Sequence, residues 1–249
     1  MIPLLLLHGA NGAALEIAPL TYGLRKLAPV FAPDLPGHGG RPVPQVLSFS
    51  DLAADVIAQC DARGLERFAA TGYSLGGTLA LYLARHYPQR VCGVATLAAK
   101  LVFDQATVDL WTYLVGVDRL GKSGNPRQHE LARLHYPQDW RAVARANHAL
   151  FLSLGTTPPL SESDLLAIDV PSLSLSGDND QLVPRTETEW LVEKLRGLGG
   201  FFPGQAHPLG AVPVAYVINV MSQWLPHLDR SLGMQHDADG GAREIFQSH

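Results

Sequence analysis

Residues 68–77, Phe68-Ala69-Ala70-Thr71-Gly72-Tyr73-Ser74-Leu75-Gly76-Gly77, join a short apolar run to a helical pattern. The apolar run is typical of a buried strand, and the stripe Leu79, Leu83 and Tyr87 that follows predicts a helix. A strand-to-helix turn this tight crowds the backbone, which explains the glycines on both sides of Ser74. The stretch therefore predicts an α/β fold in which Ser74 is displayed at the end of a strand.

The alternation of strand and helix extends outward from this turn in both directions. Short apolar runs separated by helical patterns are typical of parallel βαβ units with strands buried on both faces. Helices are predicted after Ser50 as N-cap up to Gly64, from near Gly77, and from Pro184 to near Gly197. The predicted strands are Pro3 to Leu7, Val30 to Ala32, Phe68 to Thr71, Val91 to Leu97, Pro171 to Ser176 and Gly200 to Phe202.

The alternation breaks between residues 103 and 168, where no strand is evident and the pattern is helical with polar interruptions. An insertion of this length is too long for a loop, and we predict a helical lid. The remainder, residues 1–102 and 169–228, is predicted to form one α/β core. Residues 229–249 are polar and rich in Gly and Asp, which predicts a tail peripheral to the fold.

Composition excludes several classes of protein. With 249 residues, 47% of them hydrophobic, the chain can bury one sizeable core. The formal net charge is −4 and no Lys/Arg cluster is long enough to follow a phosphate backbone, so nucleic acid is not an expected partner. No apolar run is long enough for a membrane span, and a soluble, cytoplasmic protein is expected. Cys60 and Cys92 lie in apolar patterns and are predicted core thiols.

Two polar turns follow later predicted strands and carry groups that could activate a serine. The first, residues 176–184, contains Asp178 and Asp180, and the second, residues 203–207, ends on His207. A serine hydroxyl needs an adjacent base, and the base needs an acid that orients it. The sequence therefore predicts a Ser–His–Asp arrangement, with either aspartate available as the acid.

Residues 2–228 resemble the α/β-hydrolase family in these motifs. In that family the turn similar to residues 177–184 usually reads Gly-x-x-Asp-x-x-Val-Pro, which implies Asp180 as the triad acid and Asp178 as a turn carboxylate. The resemblance further implies Ser74 as nucleophile and His207 as general base. Ala206 departs from the pattern, since the family commonly has Gly immediately before the histidine.

Two further segments resemble family loops. His8-Gly9-Ala10-Asn11-Gly12 is similar to the oxyanion loop, which implies the backbone N–H groups of Ala10 and Leu75 as oxyanion donors. Asp34-Leu35-Pro36-Gly37-His38-Gly39-Gly40 is similar to a rigid turn after the neighbouring strand. His8 and His38 are both predicted to be structural.

The chain departs from the family at its start. Members usually carry an antiparallel hairpin before the first of these strands, whereas only Met1 and Ile2 precede it here. The strand order of the family would then leave residues 30–32 at the sheet edge, where the flanking Pro29 and Pro33 are tolerated. We therefore predict an all-parallel sheet of about six strands with that strand outermost.

The predicted lid supplies candidate substrate-binding residues. Trp111 and Tyr113 are tentative acyl-pocket residues, and Lys100, just past a predicted strand, is a tentative ligand for a substrate carboxylate. Further apolar candidates are Leu114, Trp140, Phe151 and Leu152. The spacing of His129, His135 and His148 does not fit a metal site, so neither a metal nor a cofactor is expected.

The motifs leave three functions open. The first is hydrolysis of a carboxylic ester or thioester in a small-molecule acyl substrate through Ser74. The second is carbon–carbon cleavage, because the motifs also resemble the menaquinone-pathway lyases that eliminate pyruvate; several arginines converging on Ser74 would favour it. The third is a non-catalytic binding protein on the same scaffold. Members that open epoxides or cleave carbon–halogen bonds use an aspartate nucleophile, so those reactions are not expected. The sequence does not predict an oligomeric state.

Overall fold

The computed structural model describes residues 1–207 and 209–236. Its strands are β1 (Leu4–Leu7), β2 (Val30–Phe31), β3 (Phe68–Tyr73), β4 (Val91–Leu97), β5 (Ser172–Gly177) and β6 (Leu198–Phe202). Its helices are α1 (Ala18–Leu24), α2 (Phe49–Asp61), α3 (Leu75–His86), α4 (Gln105–Val115), α5 (Val117–Leu120), α6 (Arg127–His135), α7 (Trp140–Leu154), α8 (Glu162–Leu166), α9 (Arg185–Leu195) and α10 (Val214–His236).

The six strands form one parallel sheet in the order β2-β1-β3-β4-β5-β6. The predicted all-parallel sheet is confirmed, and β2 is its outermost strand as expected. In the described residues β2 pairs only with β1, through Leu4 with Val30 and Leu5 with Phe31. Parallel strands end at the same edge of the sheet, so the loops after β1, β3, β5 and β6 are brought together.

The sheet is buried on both faces, because successive residues of a strand point to opposite faces and both sets of side chains are mostly apolar. In β1, Leu5 and Leu7 join the core beneath α2 and α3. Leu4 and Leu6 point the other way and pack with α1 and α10. Helices cover both faces, which is why β1 consists entirely of leucine.

Two helix starts differ from those predicted, and one helix was not predicted at all. The N-cap of α2 is Ser48 and not Ser50, because the Ser48 hydroxyl accepts from the backbone N–H of Asp51 at 3.1 Å. Helix α3 begins at Leu75, directly after Ser74, and not near Gly77. Helix α10 was not predicted; its apolar stripe packs onto the sheet through Val217, Met221, Trp224 and Leu228.

Residues 103–168 contain α4 to α8 and no strand. The insertion is not a separate body, because Trp111, Val115 and Phe151 belong to the same apolar cluster as Leu5 and Leu7 of the sheet.

Helix α10 runs on to His236, so the predicted tail begins inside a helix, and residues 237–249 lie outside the described residues. No helix in the described part of the chain combines the length and apolar composition needed to cross a bilayer.

Candidate active site

Ser74 lies in the turn between β3 and α3 with a backbone conformation that residues other than glycine rarely adopt. Its φ is 53° and its ψ is −120°, so a non-glycine residue is held in a strained position. The turn closes only with glycine on either side: a Cβ on Gly72 would lie 2.1 Å from the Gly76 carbonyl oxygen, and one on Gly76 would lie 2.4 Å from that of Leu7. The motif therefore fixes the position of the Ser74 hydroxyl before any partner is considered.

The structure brings Ser74, His207 and Asp180 into one hydrogen-bonded chain. His207 Nε2 lies 3.1 Å from Ser74 Oγ, and His207 Nδ1 lies 2.8 Å from Asp180 Oδ2. A carboxylate only accepts, so Nδ1 carries the proton and Nε2 is left as the acceptor for the serine hydroxyl. The three residues are buried, and the Asp180 side chain has no solvent exposure. This tautomer is the one that can remove a proton from Ser74.

Two different turns hold the two aspartates after β5. Asp180 Oδ1 accepts from the backbone N–H of Leu182 at 2.8 Å and of Val183 at 2.9 Å, which leaves Oδ2 for His207. Asp178 instead accepts from the N–H of Gly204 at 2.6 Å, and in the described residues its side chain makes no hydrogen bond to Ser74, His207 or Asp180. The geometry thus separates the aspartate beside the histidine from the one that joins two loops.

The histidine is held by aromatic neighbours as well as by Asp180. The Tyr73 hydroxyl donates to the backbone carbonyl of His207 at 2.5 Å, and the two rings lie 5.4 Å apart. Burial raises the pKa of the Tyr73 hydroxyl, so it remains a donor at neutral pH. Trp111 meets the His207 ring edge-on at 5.3 Å and stacks on Phe151 at 5.2 Å. The insertion therefore contributes directly to the surroundings of the histidine.

Two backbone N–H groups beside Ser74 are without acceptors. In the described residues, neither the N–H of Leu75 nor that of Ala10 donates to a backbone or side-chain acceptor. Leu75 is the first residue of α3, where backbone donors are unsatisfied by the helix itself. The Ala10 loop lies against Ser74, since a Cβ on Gly9 would lie 3.4 Å from the Ser74 Cβ. Both predicted oxyanion donors are thus available to a ligand.

A buried histidine ties this loop to the turn after β2. His8 Nδ1 donates to the Gly9 carbonyl at 2.8 Å, and Nε2 accepts from the Leu35 N–H at 3.1 Å. Burial lowers the pKa of His8 to about 4, which keeps its ring neutral and suited to this pair of roles. Both of its ring hydrogen bonds are with backbone groups, and its ring lies 5.0 Å from that of His38.

A second polar cluster joins the insertion to the same loops. His135 donates through Nε2 to the Asn11 carbonyl at 3.1 Å and accepts through Nδ1 from the Gly39 N–H at 3.2 Å. Asn147 donates to Asn11 Oδ1 at 3.0 Å and lies 2.9 Å from His38 Nε2. Helices α6 and α7 are therefore bonded to the loop that carries Ala10.

The hydrogen-bonded chain opens onto a cavity of about 720 Å³, a volume typical of a small-molecule site. Ala10, Ser74, Trp111 and His207 are among the residues that line it. The rest of the wall combines apolar residues, among them Ile17, Leu20, Leu114, Val115, Leu120, Leu131, Leu209, Val212 and Val214, with a polar group made of Asn11, Glu16, Arg119, Asn125, Arg127 and Glu130.

Two of the three tentative substrate-binding residues are placed elsewhere. Trp111 lines the cavity, but Tyr113 is 51% exposed and faces outward, because α4 turns its opposite face to the cavity. Lys100 is buried in an ion pair with Glu187, with Nζ to Oε2 at 2.5 Å. Its charge is already compensated, and the prediction that it meets a substrate carboxylate is wrong.

The remaining apolar candidates divide in the same way. Leu114 lines the cavity, whereas Trp140 and Phe151 are buried in packing clusters and Leu152 is exposed. Within the described residues no group of His, Cys, Asp or Glu side chains could hold a metal ion.

Sequence reasoning did not identify Tyr73, Asn11 or Arg119 as site residues. Tyr73 stands inside the serine motif, and Asn11 has φ 54°, a conformation that asparagine tolerates better than most residues. Those two positions carried a signal in the sequence. Arg119 carried none, because its place on the cavity wall depends on how the insertion packs.

A family model described as the alpha/beta hydrolase fold matches residues 2–207. Two curated relatives cover most of this chain. The biotin biosynthesis bifunctional protein BioHC of Cellvibrio japonicus is 31% identical over 215 residues, which are 78% of this chain and 41% of that protein. A pimeloyl-(acyl-carrier protein) methyl ester esterase of Neisseria meningitidis serogroup A is 30% identical over 211 residues, 77% of this chain and 66% of the relative. The chain thus spans under two thirds of both proteins.

A shorter match is to an enzyme named for a different reaction. The 2-succinyl-6-hydroxy-2,4-cyclohexadiene-1-carboxylate synthase of Serratia proteamaculans is 45% identical over 58 residues, 23% of each chain. Among solved structures, a thermophilic esterase from Thermogutta terrifontis superposes with a TM-score of 0.75 at 22% identity, covering 92% of this chain and 90% of that one. At that identity the superposition establishes the shared fold.

Proposed function

Because this chain belongs to the α/β-hydrolase fold family, we propose that it is a serine hydrolase that cleaves a carboxylic ester or thioester of a small-molecule acyl substrate. Ser74 is the proposed nucleophile, His207 the general base and Asp180 the acid that orients the histidine. The backbone N–H groups of Ala10 and Leu75 are the proposed oxyanion donors.

The proposed reaction follows from the donors and acceptors of the site. His207 Nε2 takes the proton of the Ser74 hydroxyl while Oγ attacks the acyl carbon. The carbonyl oxygen becomes an oxyanion and accepts from the two N–H groups. His207 then gives the proton to the departing alcohol or thiol, and an acyl-serine remains. Water attacks that ester with His207 again as base, which releases the acid and restores the serine. These steps need no cofactor.

The observation that carries the proposal is the hydrogen-bonded chain beside two vacant N–H donors. A buried serine bonded to a histidine would be expected in many proteins, but the Asp180 contact fixes the histidine tautomer that acts as a base. The two donors, beside Ser74 and without acceptors in the described residues, support the proposal because charge develops on the carbonyl oxygen during acyl transfer.

We further propose that residues 103–168 act as a lid that selects the acyl or alcohol group. Trp111, Leu114 and Leu120 come from this insertion and line the cavity that Ser74 reaches. A wall built from these helices excludes water from one side of the acyl carbon and limits the size of the substrate.

Carbon–carbon cleavage is the second candidate, and the short match to the cyclohexadiene-carboxylate synthase supports it. A reaction on a multiply anionic substrate would need several cations near Ser74. Arg119 and Arg127 line the cavity, but Arg127 pairs with Glu16 and Glu130, and no arginine in the described residues bonds to Ser74. The cavity therefore favours ester hydrolysis.

The decisive experiment measures turnover of acyl esters and acyl thioesters of graded chain length by the wild type and by Ser74→Ala. A fluorophosphonate probe is applied in parallel, because it labels only an activated serine. Ser153→Ala is the matched control, since Ser153 is an exposed serine on α7.

We expect labelling and turnover in the wild type and in Ser153→Ala, and neither in Ser74→Ala. Labelling without turnover of any ester would instead favour the lyase, and an unlabelled wild type would favour a binding protein. A graded dependence on chain length, altered by Trp111→Ala, would support the lid.

A further inference from the structure

The wall of the cavity combines apolar and charged side chains. Ser74, His207 and Trp111 line it together with apolar side chains such as Ile17 and Leu20. Helices α5 and α6 of the insertion add charged groups to the same wall. An ester that fills this cavity would combine an apolar body with a polar or charged end.

Most of the charge on this wall is already compensated. The Arg127 guanidinium pairs with Glu16 through Nη2 and with Glu130 through Nη1, the latter at 2.5 Å. Burial raises the pKa of the Glu16 carboxyl, and the neighbouring Arg127 opposes this shift. Arg127 thus lies between two carboxylates that compensate its positive charge, so it is poorly placed to bind an anionic ligand.

Arg119 differs from Arg127 in this respect. It is half-buried and lines the same cavity, yet in the described residues it forms no ion pair, and both carboxylates of the wall pair with Arg127. In the described residues its guanidinium makes one hydrogen bond, from Nη1 to the carbonyl oxygen of Leu114 at 3.1 Å. Four of its five N–H donors are therefore available, on a cation whose planar fork matches a carboxylate or phosphate.

We propose that Arg119 determines substrate specificity by binding an anionic group at the far end of the ester. The substrate class is an ester or thioester with an apolar chain and a remote carboxylate or phosphate. This inference rests on the proposed ester hydrolysis at Ser74 and adds the substrate class to it. A remote group is bound equally before and during bond cleavage, so the effect lies in KM and not in kcat.

Pairs of esters that differ only at the chain end test this inference. Methyl hexanoate is compared with monomethyl adipate, where the anion lies on the acyl side, and hexyl acetate with 6-acetoxyhexanoate, where it lies on the alcohol side. Each pair is repeated with shorter and longer chains. The quantity measured is the ratio of kcat/KM for the anionic ester to that for the neutral ester, which cancels any general loss of activity.

The proteins compared are the wild type, Arg119→Met, Arg119→Lys and Arg133→Met. Arg133 is the matched control, because it is an exposed arginine of α6 that does not line the cavity. A charge-assisted hydrogen bond corresponds to about a 10- to 100-fold preference. We expect that preference in the wild type and in Arg133→Met, its loss in Arg119→Met through a raised KM, and partial recovery in Arg119→Lys.

A binding measurement separates this inference from the proposed function. Adipate and longer dicarboxylates are titrated by calorimetry into Ser74→Ala and into Ser74→Ala/Arg119→Met. If the dicarboxylates bind the double variant at least tenfold more weakly than Ser74→Ala, the inference is supported. This holds even if no ester is turned over, and in that case only the proposed function fails. The opposite result would be turnover of neutral esters with no preference for the anionic ester in either series, together with equal dicarboxylate binding by the two variants. That result would support ester hydrolysis at Ser74 and overturn the role of Arg119.

Discussion

Replacing Glu187 by glutamine should destabilise the protein, because it leaves the buried Lys100 ammonium without its counter-charge. Glu187 is buried with Lys100, and their side chains are 6% and 7% exposed. One carboxylate oxygen accepts from Lys100 Nζ at 2.5 Å, and the other accepts from the backbone N–H groups of Leu101 and Val102 at 2.7 and 2.9 Å. These contacts fasten the chain leaving β4 to α9, at the start of the insertion.

The expected loss follows from leaving a charge buried alone. In Glu187→Gln the side chain keeps its size and one oxygen, so it can still accept from the two backbone N–H groups. The Lys100 ammonium loses its counter-charge, and removing one partner of a buried pair costs about 3–5 kcal/mol. For a protein of this length that loss corresponds to a fall of about 6–20 °C in Tm.

A double-mutant cycle tests the cause. Lys100→Met in the Glu187→Gln background removes the stranded charge while the glutamine oxygen remains. We therefore expect the double variant to recover to within about 2 kcal/mol of the wild type, measured by urea unfolding at pH 7.5. If Glu187→Gln costs less than about 1 kcal/mol, or if the double variant is as unstable as the single, the reasoning is refuted.

Three other changes have expected outcomes. Asp180→Asn should lower kcat by about 10³- to 10⁴-fold, because the wrong histidine tautomer is favoured, whereas Asp178→Asn should leave kcat within about twofold; equal losses in the two variants would contradict the assignment. Trp111→Phe should cost under about 1.5 kcal/mol in urea unfolding because the indole N–H has no partner to lose, while Trp111→Ala should cost about 3–5 kcal/mol. Burial lowers the pKa values of His8, His38 and His135 below the usual 6.5. Below pH 6.5 these histidines therefore bind more protons in the unfolded chain than in the folded protein. Stability present above pH 6.5 should thus be lost as the pH falls towards 4, by up to about 1.4 kcal/mol per pH unit for each histidine. The slope should persist in His129→Gln, which alters an exposed histidine, and a pH-independent unfolding free energy between 6.5 and 4 would contradict the argument.

The elements that the sequence determined are those whose signal is local. A strand buried on both faces needs an unbroken apolar run, and Leu4–Leu7 and Val91–Leu97 could be recognised for that reason. The turn at Ser74 was recognisable because the glycines on both sides are required by backbone contacts of under 3 Å. The edge position of β2 followed from two flanking prolines and the strand order of the family.

The sequence was less informative where the partner of a side chain comes from a distant segment. Lys100 appeared free to meet a substrate, but Glu187, which lies 87 positions further along the chain, compensates its charge. Tyr113 and Trp111 stand two residues apart on α4, and only the packing of that helix against Phe151 and His207 decides which ring lines the cavity.

The same distinction separates the chemistry of the site from its selectivity. Ser74, Asp180 and His207 each follow a predicted strand, and parallel strands end at one edge, so their meeting was implied by the order of motifs along the chain. The cavity wall was not implied, because it is built by helices whose orientation depends on contacts such as those of His135 and Asn147 with the Asn11 loop. A local backbone constraint can be recognised in the sequence because it depends on neighbouring residues. The pairing of Arg127 with Glu16 depends on distant segments, and so does the availability of Arg119. Only the packed tertiary structure decides them.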